Sequence, residues 1–344
     1  MPEASVLAST PAPSPDIASA CGLPCDTGCP GYRLYAAVDA LFLARYAALE
    51  DRPLVLNEDT GGTIISSQNL QWGFAPGMRA FFGERKPAGW GWEVGYLGVY
   101  NSTSNAQVFG PGNLIAPGTF GTSAPQFNSA DLMRLNYVST LNMGEANIFW
   151  YKCCGTGQNP AGQCGADGCA QPCGSCQCLD WLAGFRYAGL SDAAGFSSTC
   201  CGLTETSAYN VNSNSSLFGC QIGVRGRRDY ERWAAEGWLK VGLGGTWLSQ
   251  SQSPVIDPVN PDPPIRGASS ASSTGLGGFA DANASLIYRI NQTWGVRAGL
   301  NMIWLGNVAL AADQWNFTQT TAIDSVSNGS LYLLGGNLGV EARW

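Results

Sequence analysis

The chain has 344 residues, a net charge of −7 and only 12% charged residues, about half the share usual in soluble domains. The acidic balance argues against a nucleic-acid partner. The complete absence of histidine removes Ser–His and Cys–His nucleophile pairs, histidine acid–base chemistry and Cys/His zinc sites.

Residues 1–31 are rich in Pro, Ala and Ser, carry Cys21, Cys25 and Cys29, and read as a disordered tail. They lack the basic and apolar regions of a signal peptide, although Ala18–Cys21 resembles the end of one. Residues 32–344 read as one all-β domain. No apolar run of about 18 residues predicts a spanning helix, but spanning strands alternate only over about ten residues.

That alternation is the dominant pattern. In Trp90–Tyr100, one face carries Trp90, Trp92, Val94, Tyr96 and Tyr100 and the other mostly glycine with Glu93. It recurs at Phe74–Phe82, Trp181–Tyr187, Trp294–Trp304 and Tyr332–Trp344, where glycines and arginines fill the second face. Twelve strands are expected, starting near Arg33, Asn69, Trp90, Leu132, Glu145, Leu179, Phe196, Leu217, Ala235, Leu276, Trp294 and Leu331. The first also fits an amphipathic helix. Short turns are expected at "ERKPAG", "NMG", "SDAAG" and "RINQ", and long loops at 46–68, 102–130, 250–274, 307–330 and a cysteine-rich stretch at about 153–178. A connection near Asn212 is shorter than this scheme requires.

These features predict a closed antiparallel up-and-down transmembrane β-barrel of about 12 strands with long loops at one rim. Aromatic faces would meet lipid and glycine faces would line the interior. Closure also removes the unpaired edges that lipid cannot satisfy. A soluble β-sandwich is the alternative, but its second face would carry Lys, Glu and Thr rather than glycine and lone arginines.

By parity, the lumen is expected to hold Arg79, Arg134, Arg186, Arg225, Lys240, Arg289, Arg297 and Arg343 with Asp39, Glu93, Asp281 and Glu341; Asp180 and Glu236 fall near strand ends. Eight bases against four acids make this set +4, which favours small anions or neutral solutes if the lumen is wet. Structural ion pairs in a closed interior are the competing account.

Thirteen cysteines fit an oxidising compartment. Cys21, Cys25, Cys29, Cys153, Cys154, Cys164, Cys169, Cys173, Cys176, Cys178, Cys200 and Cys201 are disulfide candidates, while Cys220 falls on a lipid-facing row. Zinc held by four thiolates is the alternative for the central cluster, but its spacings do not repeat a paired CxxC knuckle. Neither catalytic residues nor a cofactor is expected, since no phosphate-loop, dinucleotide or nucleophile-elbow pattern stands in a suitable context.

The segments Leu182–Leu190 (LAGFRYAGL) and Asn214–Gly223 (NSSLFGCQIG), with Gly77–Arg79 and the terminal Arg343–Trp344, resemble the planctomycete beta-barrel porin (BBP-type) outer membrane protein family. The resemblance implies an outer-membrane, porin-like barrel without a cofactor. The chain departs from it in its cysteine clusters. Expected partners are outer-membrane lipid, small solutes where the lumen is open, and further copies of the chain in a homo-oligomer or lateral surface array. A structural or adhesive barrel with a plugged lumen and disulfide-stapled, partner-binding loops is the alternative function.

Overall fold

A computed structural model describes residues 33–47, 52–123, 125–155, 176–202, 204–230, 232–318, 321 and 323–344. The expected tail and most of the cysteine-rich stretch lie outside these residues. Among the described residues no helix is long and apolar enough to cross a membrane.

The period-two segments form twelve strands: β1 (Leu34–Ala47), β2 (Pro53–Asn57), β3 (Thr63–Ser66), β4 (Phe74–Lys86), β5 (Trp90–Ile115), β6 (Ala130–Gly155), β7 (Cys176–Cys200), β8 (Glu205–Asp229), β9 (Trp233–Gln252), β10 (Ser269–Arg289), β11 (Trp294–Val308) and β12 (Gly329–Arg343). Ten of them close into an antiparallel barrel. β1 pairs with both β4 and β12, and the β5–β6 ladder completes the circle. β2 and β3 form a small hairpin docked on the far end of β5, Leu56 opposite Ile115. The architecture is that of an outer-membrane β-barrel.

The wall therefore differs from the sequence expectation. The starts near Leu132 and Glu145 belong to the single strand β6, and those near Leu179 and Phe196 to β7. "NMG" and "SDAAG" do not turn, because the β6–β7 ladder runs without a register shift from Leu132–Thr199 to Gly155–Cys176. Asn212 sits inside β8, not in a connection. The start near Asn69 shifts to Phe74, since Leu70 is buried and Trp72 packs against the same interior cluster. The first segment is a strand throughout, not a helix.

Merging these strands changes which rim each connection occupies. The short-turn rim carries Lys86–Trp90, Asp229–Trp233 and Arg289–Trp294, together with Leu34 and Arg343. Gly89, at φ +81°, closes the first of these turns. In the third, the Asn291 side-chain oxygen accepts the backbone N–H groups of Thr293 and Trp294 at 2.9 and 2.7 Å. The stretch between Gly155 and Cys176 joins strand ends at this rim, not at the long-loop rim as expected. The β7–β8 connection at the opposite rim is the short one there.

The outer surface follows the sequence parity. Leu276 is 84% exposed, Leu243 74% and Leu300 68%, a distribution that only a hydrocarbon surround makes favourable. Trp90, Trp150, Trp181, Trp233, Trp294 and Trp344 ring the short-turn end of this belt. Trp294 to Trp304 covers about the ten residues a tilted spanning strand needs. β5 to β8 continue well past the belt, so about half of each stands beyond the hydrocarbon.

Candidate functional site: a filled barrel interior

Along the axis the interior is stratified. Nearest the short-turn rim lies a network of ion pairs. Arg227 bonds Glu236 and Glu341, both at 3.1 Å, and Asp229 at 2.9 Å. Arg297 joins Glu236 at 3.3 Å to Asp39 at 3.2 Å, and Asp39 accepts the Nε–H of Arg79 at 2.9 Å. Across the barrel Asp180 is shared by Arg85 at 2.6 Å and Arg225 at 2.8 Å. Arg225 also pairs with Glu93, which meets Lys240, and Lys240 pairs with Glu145. Arg186 links Glu145 to Asp281. Trp238 lies at the centre: its N–H donates to Asp281 at 3.2 Å, and the Arg79 guanidinium sits 4.7 Å from its ring.

Arg79, Arg186, Arg225, Lys240, Arg297, Asp39, Glu93, Asp281 and Glu341 all point into this network and are less than a tenth exposed. Arg343 and Arg289 join from the rim, where Arg289 pairs with Asp229. Arg134 does not belong to it. In β6 the odd residues face inward, so Arg134 lies on the exposed outer surface beyond the belt. Sequence parity missed Arg85, in the expected "ERKPAG" turn, Glu145, at an expected strand start, and Arg227 and Asp229, beyond the central part of the strand expected from Leu217. Among the described residues, nine bases including Arg289 face eight acids in this layer. The expected +4 interior is thus close to neutral.

Above the network comes an apolar layer, which the glycine-and-charge expectation did not contain. Leu41, Leu43, Leu141, Leu190, Ile303 and Leu333 meet across the axis, each at most 3% exposed. Glycines on the inner face serve the same filling. A Cβ at Gly95 would come 2.7 Å from the Phe81 ring, and Gly91 and Gly242 similarly receive Phe149 and Phe279. The glycines thus make room for rings from neighbouring strands rather than for a lumen.

Next is an isolated buried pair, Arg45 with Asp192 at 3.0 Å. Arg45 also donates to the Tyr137 hydroxyl at 3.1 Å and lies 4.5 Å from the Trp72 ring. Tyr137 in turn hydrogen-bonds Asp192. Burial, with Asp192 beside it, pushes the Tyr137 phenol well above its ordinary value. The long-loop mouth is closed by Phe120, Phe127, Phe196, Tyr209, Trp315 and Phe317. Phe120 and Tyr209 stack at 5.7 Å, and the Arg266 guanidinium lies 4.1 Å from the Tyr209 ring. Two cavities between the described interior residues measure about 30 and 10 Å³, room for a few waters in each at most.

Of the candidate disulfides, Cys200 and Cys201 are joined to each other at the β7–β8 turn. Adjacent residues enclose no long loop, so this bond does not staple one as expected. With Glu205 they form a cluster of metal-ligating residue types, ligand atoms within 4.8 Å, but joined sulfurs offer no thiolate. Cys178 takes part in a disulfide. Cys21, Cys25, Cys29, Cys164, Cys169 and Cys173, and the side chains of Cys153, Cys154 and Cys176, lie outside the described residues. Cys220 is a free thiol on the lipid-facing row.

No family model matches the chain, and no curated protein matches it. Among solved structures it is similar to the outer membrane protease OmpT of Escherichia coli, at 11% identity over 92% of this chain and 100% of that one, TM-score 0.48. It is also similar to a major outer membrane protein of Thermus thermophilus, at 12% identity over 90% and 99% of the two chains, TM-score 0.33. A third similar structure is the toluene transporter TodX of Pseudomonas putida, at 9% identity over 92% and 90%, TM-score 0.24. At these scores no activity carries over from any of them.

Proposed function

We propose that the chain is a non-enzymatic outer-membrane barrel with a closed lumen, which anchors its protruding strands and loops at the cell surface. One observation carries this reading: an ionic network, an apolar layer, the buried Arg45–Asp192 pair and an aromatic cap succeed one another and fill the described interior from rim to rim. An ion crossing it would have to break buried pairs and then enter a leucine-rich layer, at a cost of several kcal/mol. The filled lumen favours this reading over passive diffusion of small solutes, and the near-neutral network removes the reason for an anion preference. The Leu182–Leu190 and Asn214–Gly223 segments remain the support for kinship with the planctomycete barrel porins. Lateral association with further copies stays part of the proposal.

The test is reconstitution into planar bilayers and into liposomes. No stable single-channel conductance and no solute-dependent swelling are expected. Steady conductance from the folded, heat-modifiable species would overturn the closed lumen.

A further inference from the structure

Beyond the lipid belt, the outer face of the protruding sheet carries ladders of uncharged amides and hydroxyls. One row runs straight across four strands: Asn105 on β5, Asn136 on β6, Gly195 on β7 and Asn210 on β8. Two more cross β8, β9 and β10, as Asn212–Ser251–Ser270 and Asn214–Ser249–Ser272. All five asparagines are exposed, and no side-chain hydrogen bond ties their amides to other described residues. Gly195, buried between two of them, lets their amides close over the backbone. A Cβ there would lie 2.9 Å from the Asn210 side-chain oxygen and nearer still to that of Asn136. Two amides therefore converge over a bare stretch of backbone. The rows hold no charged residue; Arg134 flanks them.

Location restricts the partner. These rows stand on the lateral wall, directly past outward-facing Phe218 and Trp247, so whatever meets them lies beside the barrel in the headgroup layer. From Ser215 to Asn210 the rows climb five residues of β8 past the belt, a height of roughly 12 Å at a rise of ~3.3 Å per residue and a tilt near 45°. Phospholipid headgroups add only about 5–8 Å per leaflet. A phosphate-rich layer of that height would also call for Lys and Arg, which the rows lack. Each asparagine amide supplies both donors and an acceptor, matching the hydroxyl, which does both as well.

We propose that this amide face is a carbohydrate-binding surface for the uncharged sugar chains of outer-leaflet glycolipid, seated laterally against β6 to β10 over the paired Asn136 and Asn210 amides. The inference rests on the membrane-embedded reading but not on the closed lumen, so a conducting barrel leaves it intact. The test uses the purified full chain in detergent with two lipopolysaccharide preparations, one bearing a long uncharged polysaccharide and one truncated to its inner core. Binding is read by native mass spectrometry and by thermal shift. The full-length glycolipid is expected to bind about tenfold more tightly than the truncated one. The triple variant Asn136→Ala, Asn210→Ala, Asn214→Ala is expected to lose that preference, as three amide contacts imply. Its heat-modifiable mobility should be unchanged, which confirms that it folds. Equal binding of the two glycolipids, or an undiminished preference in the folded variant, overturns the proposal. So does a dimer in detergent that protects these rows. A chain soluble without detergent would show itself before any glycolipid is added and would sink the membrane reading as well.

Discussion

Arg45 and Asp192 are 147 residues apart in the chain, yet 3.0 Å apart inside the barrel. The leucine layer lies on one side of them and the aromatic cap on the other. Removing one partner leaves the other charge buried, so Asp192→Ala should destabilise the barrel by about 3–5 kcal/mol. The double variant Arg45→Met, Asp192→Leu should be much closer to the parent. Urea midpoints of the gel-mobility transition, measured in the same micelles, compare the three; equal losses in single and double variants would show that the pair is not the cause.

Arg134 and Arg186 separate exposed from interior charge. Arg134→Glu on the outer face should change stability by less than about 0.5 kcal/mol. Arg186→Met strands Glu145 and Asp281 and should cost about 3–5 kcal/mol. If the two variants unfold at the same urea concentration, the outward parity of Arg134 on β6 is incorrect.

Gly242 and Phe279 are coupled by shape. Valine at Gly242 drives a side chain into the Phe279 ring and should cost about 1–3 kcal/mol, while Phe279→Ala should cost about 3–5 kcal/mol through its cavity. Combined, the two should cost less than their sum by about 1 kcal/mol. A double-mutant cycle of unfolding free energies measures this, and strict additivity would disprove the contact.

Cys220 lies on the belt. In proteoliposomes a lipid-soluble maleimide should label it and a charged thiol reagent should not. Labelling by the charged reagent would place that row in water and contradict the outward parity of β8.

Tyr209 sits in the cap, donates to the Gln252 side-chain oxygen at 3.0 Å and accepts the Asn316 N–H at 3.1 Å. Burial raises its phenol above the ordinary value, against the opposing pull of Arg266. The folded value therefore exceeds the unfolded one of about 10. The neutral phenol's contribution is complete below about pH 10 and is lost as pH climbs past the folded value. Tyrosinate absorbance should show Tyr209 ionising after the exposed tyrosines, and Tyr209→Phe should remove one phenol from the late phase that it shares with Tyr137.

Much of the outer wall was legible in the sequence. Trp181, Phe185 and Tyr187 alternate with Asp180, Gly184 and Arg186 because a strand sends successive side chains to opposite faces, whatever its neighbours do. Most of the interior charges followed by the same parity. Glu145 did not, since it follows "NMG", a stretch that reads as a turn. "NMG" and "SDAAG" stay extended only because β6 and β7 hold each other in register across their whole length.

By itself, then, the chain determined which side chains face lipid and that a closed sheet must result, for that information is carried by nearest neighbours and by the cost of free backbone in hydrocarbon. Tertiary structure alone decided that ten strands form the wall and that the cysteine-rich connection leaves from the short-turn rim. It also decided that Arg45 finds Asp192 and that leucines rather than water occupy the axis. Those outcomes depend on pairings between residues dozens to hundreds of positions apart, and local periodicity carries no record of which distant strand will lie opposite.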